Sequence, residues 1–160
     1  MSRRAQALAE RLERGAQALA VFAESLSDAE WRMAVPKDGR AVGVVVHHVA
    51  SVYPLEIQLA QSVAAGKPIE GVTWDAVAHM NAQHAQEQRA VGKPETLALL
   101  RSNSTAAADA VRALSDEQLD AAAPVSLNAG ATLTAQFVIE DHALRHSVHH
   151  LAGIRAAVGR

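Results

Sequence analysis

The chain has 160 residues, of which 49% are hydrophobic and 20% charged, and its formal net charge is −2. This composition predicts one globular domain over residues 1–160, and the near-neutral charge argues against a protein that binds nucleic-acid phosphates. The absence of cysteine excludes disulfides, thiolate metal ligands and a cysteine nucleophile. No uninterrupted apolar run approaches about eighteen residues, and no apolar signal core opens the chain, so we expect no membrane span and a cytoplasmic location.

Helices dominate the predicted secondary structure. Aromatic residues make up only 3% of a chain that is rich in alanine, which favours close-packed helices over a sheet. Apolar periodicity and cap residues predict helices at 2–26, 41–65, 73–91, 94–114 and 132–158, a connection at 27–40, a short capped turn at 115–118 and a loop at 121–131. We find no convincing strand pattern, so the expected fold is an all-α four-helix bundle with an extra short helix.

Pro54 lies inside the second predicted helix. Its nitrogen has no proton to donate to the carbonyl of Ala50, so we expect the helix to bend or open locally there.

The histidines carry the functional signal, because six of the eight fall in two short clusters. On a helical wheel His48 lies in the middle of an apolar stripe on the second helix, whereas His47 points toward solvent. Tyr53 lies away from this stripe and receives no role. The stripe consists of Val44, Val45, Val52, Leu55, Leu59 and Val63.

The last predicted helix carries a possible chelating pair. His146 and His150 are four residues apart, so their rings lie on one face, one turn from each other, with the spacing that two imidazoles need to bind one ion. His142 and His146 share this spacing and form the alternative pair, although His142 lies on the far side from the core stripe. That stripe consists of Phe137, Leu144, Val148, Leu151 and Val158.

A buried imidazole among valines is costly unless it has a partner, and an ion shared by His48 with the pair on the last helix would supply one. Three nitrogen ligands with an open position are typical of catalytic zinc sites. No general base is evident, because Glu140 and Asp141 lie away from the histidine pair on the wheel.

The remaining chemically distinctive residues receive structural interpretations. The five-residue spacing of His79 and His84 is poor for chelation, so both are interpreted as surface residues. Trp31 and Trp74 lie near predicted helix ends and are interpreted as packing anchors.

Two segments together resemble the DinB-like (YfiT-like) superfamily. They are Val44-Val45-Val46-His47-His48-Val49-Ala50 and, about a hundred residues later, His146-Ser147-Val148-His149-His150-Leu151-Ala152-Gly153-Ile154. The resemblance implies an up-down-down-up four-helix bundle in which His48, His146 and His150 bind a divalent metal. The chain departs from the pattern at Gly39-Arg40-Ala41, where members often carry Trp-Ser, which leaves the mouth of the pocket undefined.

The resemblance also implies a chemistry. Superfamily members include S-transferases and isomerases that use mycothiol, bacillithiol or glutathione, so the expected cofactors are a divalent ion (zinc, nickel, manganese or iron) and a low-molecular-weight thiol. Hydrolysis by a metal-activated water is the other catalytic possibility, and a non-catalytic metal-binding or helical interaction protein is the alternative to an enzyme. The expected partner is a small-molecule substrate, and Ala135 and Val138, outside the core stripe, suggest a homodimer.

Overall fold

The computed structural model describes residues 2–160, and most of that part of the chain is helical. In chain order its elements are α1 (Arg3–Glu24), α2 (Asp28–Trp31), α3 (Val42–Ala64), α4 (Trp74–Glu87), α5 (Lys93–Arg112), α6 (Asp116–Asp120), β1 (Ala122–Val125), a 3-10 turn (Ser126–Asn128), β2 (Ala131–Thr134), α7 (Ala135–Val138), a π-helical turn (Ile139–Leu144) and α8 (Arg145–Val158). The last three elements form one continuous helix. This helix, α1, α3 and α5 make up a four-helix bundle.

The first and last helices of the bundle are parallel. Arg11 forms a 2.7 Å ion pair with Glu140 near the start of both helices. Farther along both, the guanidinium of Arg155 lies 5.2 Å from the centre of the Phe22 ring. Successive contacts therefore advance along the two helices in the same direction.

Helix α5 runs antiparallel to α1. The carboxylate of Glu13 lies 2.6 Å from the Arg112 guanidinium, and Glu24, later in α1, pairs with Arg101, earlier in α5. Helix α3 runs antiparallel to α8, because His48 lies against His150 and Glu56 lies against His146. The order is up-down-down-up, as the resemblance implies.

Helix α3 forms the centre of the core. It is long and apolar enough to span a membrane by length and composition, but most of it is buried within the bundle. Helix α3 continues through Pro54 to Ala64. The side-chain amide of Asn103 on α5 donates a 2.8 Å hydrogen bond to the carbonyl of Ala50, the group that Pro54 leaves without a helical donor.

A β-hairpin replaces the loop predicted at 121–131. Strands β1 and β2 pair antiparallel, with Ala122 opposite Thr134. Because residues 131–134 pair as β2, the last helix begins at Ala135 instead of Thr132. Each strand has only four residues, which is too short for the alternation of apolar and polar residues that would predict a strand from the sequence.

The π-helical turn shifts the face that the last helix presents to the core. Phe137 precedes this turn and is already 39% exposed, although the helical wheel placed it in the core stripe. Val148 follows the turn and is 59% exposed, although the wheel placed it in the same stripe. A π turn contains an extra residue, so a wheel drawn at a constant α-helical angle loses the phase there. Ala135 and Val138 are buried instead, which removes the observation that suggested a homodimer.

The wheel also misplaced part of α3. Tyr53, set aside as lying off the stripe, is completely buried, whereas Leu55, assigned to the stripe, is 41% exposed. Helix α3 packs against neighbours on several sides, so its buried surface is wider than one apolar stripe. Leu55, with Val52 and Leu59, lines an open cavity.

Candidate metal centre

The structure brings together the three histidines that the sequence singled out. His48 is buried on α3, and His146 and His150 lie partly buried on successive turns of α8. One ring nitrogen from each lies within 4.8 Å of the others. The antiparallel packing of α3 on α8 produces this approach, since it sets His48 against both residues of the pair.

The geometry of the three rings fits a single ion. His48 Nε2 and His146 Nε2 are 3.0 Å apart, and the ring centres of His146 and His150 are 4.7 Å apart. A tetrahedral zinc ion with Zn–N distances of about 2.1 Å holds its nitrogen ligands roughly 3.4 Å apart. Only small side-chain adjustments separate this arrangement from a ligating one.

A carboxylate behind the ring fixes the orientation of His146. Glu56 Oε1 lies 2.5 Å from His146 Nδ1, and Glu56 is itself buried on α3. An ionised carboxylate is an acceptor, so this contact assigns the proton to Nδ1 and leaves the Nε2 lone pair directed at His48. Carboxylate–histidine pairs of this kind are usual behind metal-ligating histidines.

Sequence reasoning missed Glu56, although a signal existed. Glu56 follows His48 by eight residues, about two helical turns, and so lies near the same face of α3. The search for apolar periodicity passed over it because a carboxylate does not contribute to a hydrophobic stripe.

The surroundings keep two of the rings neutral. Burial is the main cause that lowers the pKa of His48 to about 2, and the proximity of His146 and Arg40 contributes to the same shift. Burial, again the main cause, together with His146, lowers the pKa of His150 to about 3. The neutral imidazole is the form that binds a metal, so the site holds these two rings ready to ligate.

His47 and His84 form a second contact beside the three histidines, contrary to the solvent and surface positions expected for them. His47 Nδ1 and His84 Nε2 are 2.9 Å apart, and the two rings are stacked. Helix α4 packs on the outer side of α3 and covers His47, which the wheel could not show. His79 is exposed, as expected.

His142 does not join the group. In residues 2–160, the cluster that could hold an ion consists of His48, His146 and His150. His142 instead lines the neighbouring cavity together with Asp141 and His149. Asp141 accepts a 2.8 Å hydrogen bond from Arg145, and Glu140 pairs with Arg11 on the outside of the bundle.

A cavity of about 360 Å³ opens onto His48, His146 and His150. Its walls are mainly apolar and come from α3, from α4 and from the turn after β1. Trp74, interpreted from sequence as a packing anchor, is 61% exposed at this cavity and donates a 2.9 Å hydrogen bond to the Leu127 carbonyl. Trp31 is buried and does serve as an anchor, with its indole N–H bonded to the carbonyl of Val91.

Comparisons with known proteins agree with this architecture. The DinB superfamily model matches residues 11–154 of the chain. Among solved structures, YfiT from Bacillus subtilis, described as a probable metal-dependent hydrolase with an unusual four-helix bundle topology, matches with a TM-score of 0.74 and 17% sequence identity. The match covers 99% of this chain and 90% of that one, and at this identity it shows the shared fold. No curated protein matches the sequence.

Proposed function

The chain belongs to the DinB superfamily, and we propose that it is a metal-dependent enzyme in which His48, His146 and His150 bind one divalent ion. Zinc, nickel, manganese and iron are the candidate ions. One observation carries the proposal: three histidine nitrogens converge within 4.8 Å beside an open, largely apolar cavity. Three protein ligands facing a cavity leave room for a reacting molecule at the ion.

The reaction that we favour is a thiol-dependent S-transfer or isomerisation. A bound divalent ion would supply the positive charge that favours the deprotonated, nucleophilic form of a thiol. The chain has no cysteine, so the sulfur would belong to a cosubstrate such as mycothiol, bacillithiol or glutathione. Glu56 orients His146 through their hydrogen bond.

Hydrolysis is the second candidate. The description of YfiT as a probable metal-dependent hydrolase favours it, because the two proteins share a fold over nearly their whole lengths. Hydrolysis would use the same three histidines, with water in place of the thiol.

Elemental analysis of untagged protein tests the metal proposal. We expect about one ion per chain in the wild type, its loss in His48→Ala and its retention in His79→Ala, which removes an exposed histidine from α4. Wild-type protein that takes up no ion after incubation with zinc, nickel, manganese or iron would contradict the proposal and favour a helical interaction protein.

Absorption spectra of the cobalt-substituted protein separate the reactions. A thiol-dependent enzyme should develop an intense sulfur-to-cobalt charge-transfer band when glutathione, mycothiol or bacillithiol is added. A hydrolase should show no such band but a pH-dependent spectrum from an exchangeable water. If neither an added thiol nor a rise in pH above neutrality alters the spectrum, the result would favour a non-catalytic metal-binding protein.

A further inference from the structure

Arg40 is held in a tightly bonded loop immediately before α3. The Val35 N–H donates to the carbonyl of Arg40 at 2.9 Å, and the Gly39 N–H donates to the carbonyl of Val35 at 2.8 Å. Ala34 and Ala41 pair as a β-bridge across the base of the loop. The backbone of Arg40 is therefore fixed relative to the helix that carries His48.

The guanidinium of Arg40 is only partly committed to the protein. Its Nε and Nη2 donate to the two carboxylate oxygens of Asp38 at 2.6 and 2.7 Å. Its Nη1 is buried and has no hydrogen-bond partner among residues 2–160, which is unfavourable for a charged donor. The side chain is 17% exposed and lines the same cavity as His48 and His150.

The two carboxylates at the cavity each have one bonded partner. Glu56 bonds His146 through Oε1, while its buried Oε2 has no partner among residues 2–160, and the carboxylate of Asp141 bonds Arg145. Adding a divalent ion at the three histidines therefore leaves the cavity with excess positive charge. The walls beyond these groups are apolar and include Val52, Leu55, Leu59, Val77 and Met80.

We propose that Arg40 binds the carboxylate of the substrate through Nη1, and that the substrate is a small carboxylic acid with an apolar body. Guanidinium donors match carboxylate acceptors in geometry and charge, and Nη1 is the nitrogen left to donate. A singly charged carboxylate suits the site better than a phosphate dianion, because Asp38 already neutralises Arg40. The proposal builds on the proposed function, since the remainder of the acid would extend toward the three histidines.

Binding of model acids to the zinc-loaded protein tests this assignment. The probes are phenylacetate, hydrocinnamate and phenylbutyrate, each compared with its uncharged amide by calorimetry. We expect at least one acid to bind the wild type about tenfold more tightly than its amide. Arg40→Gln should lose that preference, whereas Arg101→Gln, the same charge change at a distant ion pair with Glu24, should keep it.

Zinc content and melting temperature are measured on every sample. Equal affinity of acid and amide for the wild type, no binding by any acid of the series, or an unchanged preference in a folded, zinc-loaded Arg40→Gln overturns the role of Arg40. If Arg40→Gln does not fold, equal affinity of acid and amide for the wild type still overturns the role of Arg40. A wild type without zinc contradicts the proposed metal site, and the same acid and amide titrations then test Arg40 in the metal-free protein.

Discussion

Glu56 Oε1 accepts a hydrogen bond from His146 Nδ1 across the interface between α3 and α8, at 2.5 Å. Both partners lie inside the bundle, and Glu56 is almost completely buried. The contact fixes the tautomer and the ring orientation of His146, so that its Nε2 faces the nitrogen of His48. The candidate metal centre therefore depends on a carboxylate outside the group of three histidines.

Glu56→Gln should weaken metal binding without removing any of the three histidines. A neutral amide is a poorer acceptor for Nδ1–H and lowers the basicity of the ring, an effect that typically costs about 10- to 100-fold in affinity. Competition with a chromophoric chelator measures the zinc dissociation constant. Glu140→Gln, at the surface pair with Arg11, is the matched control and should bind zinc like the wild type.

His150→Ala should lose the ion, and His142→Ala should retain it. The nitrogens of His48, His146 and His150 form the cluster, whereas His142 lies at the wall of the cavity. Elemental analysis after dialysis against metal-free buffer compares the two variants. Loss of metal in His142→Ala with retention in His150→Ala would falsify the ligand assignment and restore the alternative pair.

The metal-free protein should lose stability as the pH falls below about 6.5. The folded state lowers the pKa of His48 to about 2 and that of His150 to about 3, so below pH 6.5 the unfolded chain binds more protons at these positions. The free energy of unfolding then decreases between pH 7 and pH 5 by up to about 2 kcal/mol per histidine.

Urea unfolding of metal-free protein at the two pH values measures this change. The double variant His48→Gln, His150→Gln has no titrating group at these positions and should show a smaller decrease. An equal decrease in the double variant would place the responsible groups elsewhere.

Gly43→Ala should destabilise the fold by about 1–3 kcal/mol, since an added methyl would overpack the core. A Cβ at Gly43 would overlap two atoms of the buried Trp31 ring, which is held by its bond to Val91. Thermal unfolding compares it with Gly153→Ala, whose Cβ would lie 3.4 Å from a methyl of Val35. The control should be neutral or slightly stabilising, because alanine favours a helix over glycine.

Local signals in the sequence were sufficient to predict the helix caps and the inward orientation of His48. Thr73 caps α4, and the Ser115 capping box begins α6, because a side-chain oxygen satisfies free N–H groups within the same turn. His48 was expected to point inward because its apolar neighbours repeat at helical spacing, and it does. The resemblance then supplied the up-down-down-up order, which the contacts between helices confirm.

Local signals could not predict the phase of the last helix or the contacts between distant segments. The π turn before His146 changes the phase of the last helix, and a periodicity argument assumes a constant phase. The pairing of β1 with β2 depends on backbone hydrogen bonds that carry almost no side-chain pattern.

The sequence by itself predicted a helical bundle, placed His48 on an apolar stripe and offered two chelating pairs, His146 with His150 and His142 with His146, because helical spacing is a local property. The resemblance to the DinB-like superfamily then implied His48, His146 and His150 as the ligands. Only the tertiary structure decided that Glu56 orients His146, that His84 meets His47 and that Arg40 lines the cavity. Each of these contacts joins side chains from separate helices or loops. Their approach depends on how the bundle packs, and residue spacing within one segment contains no information about it.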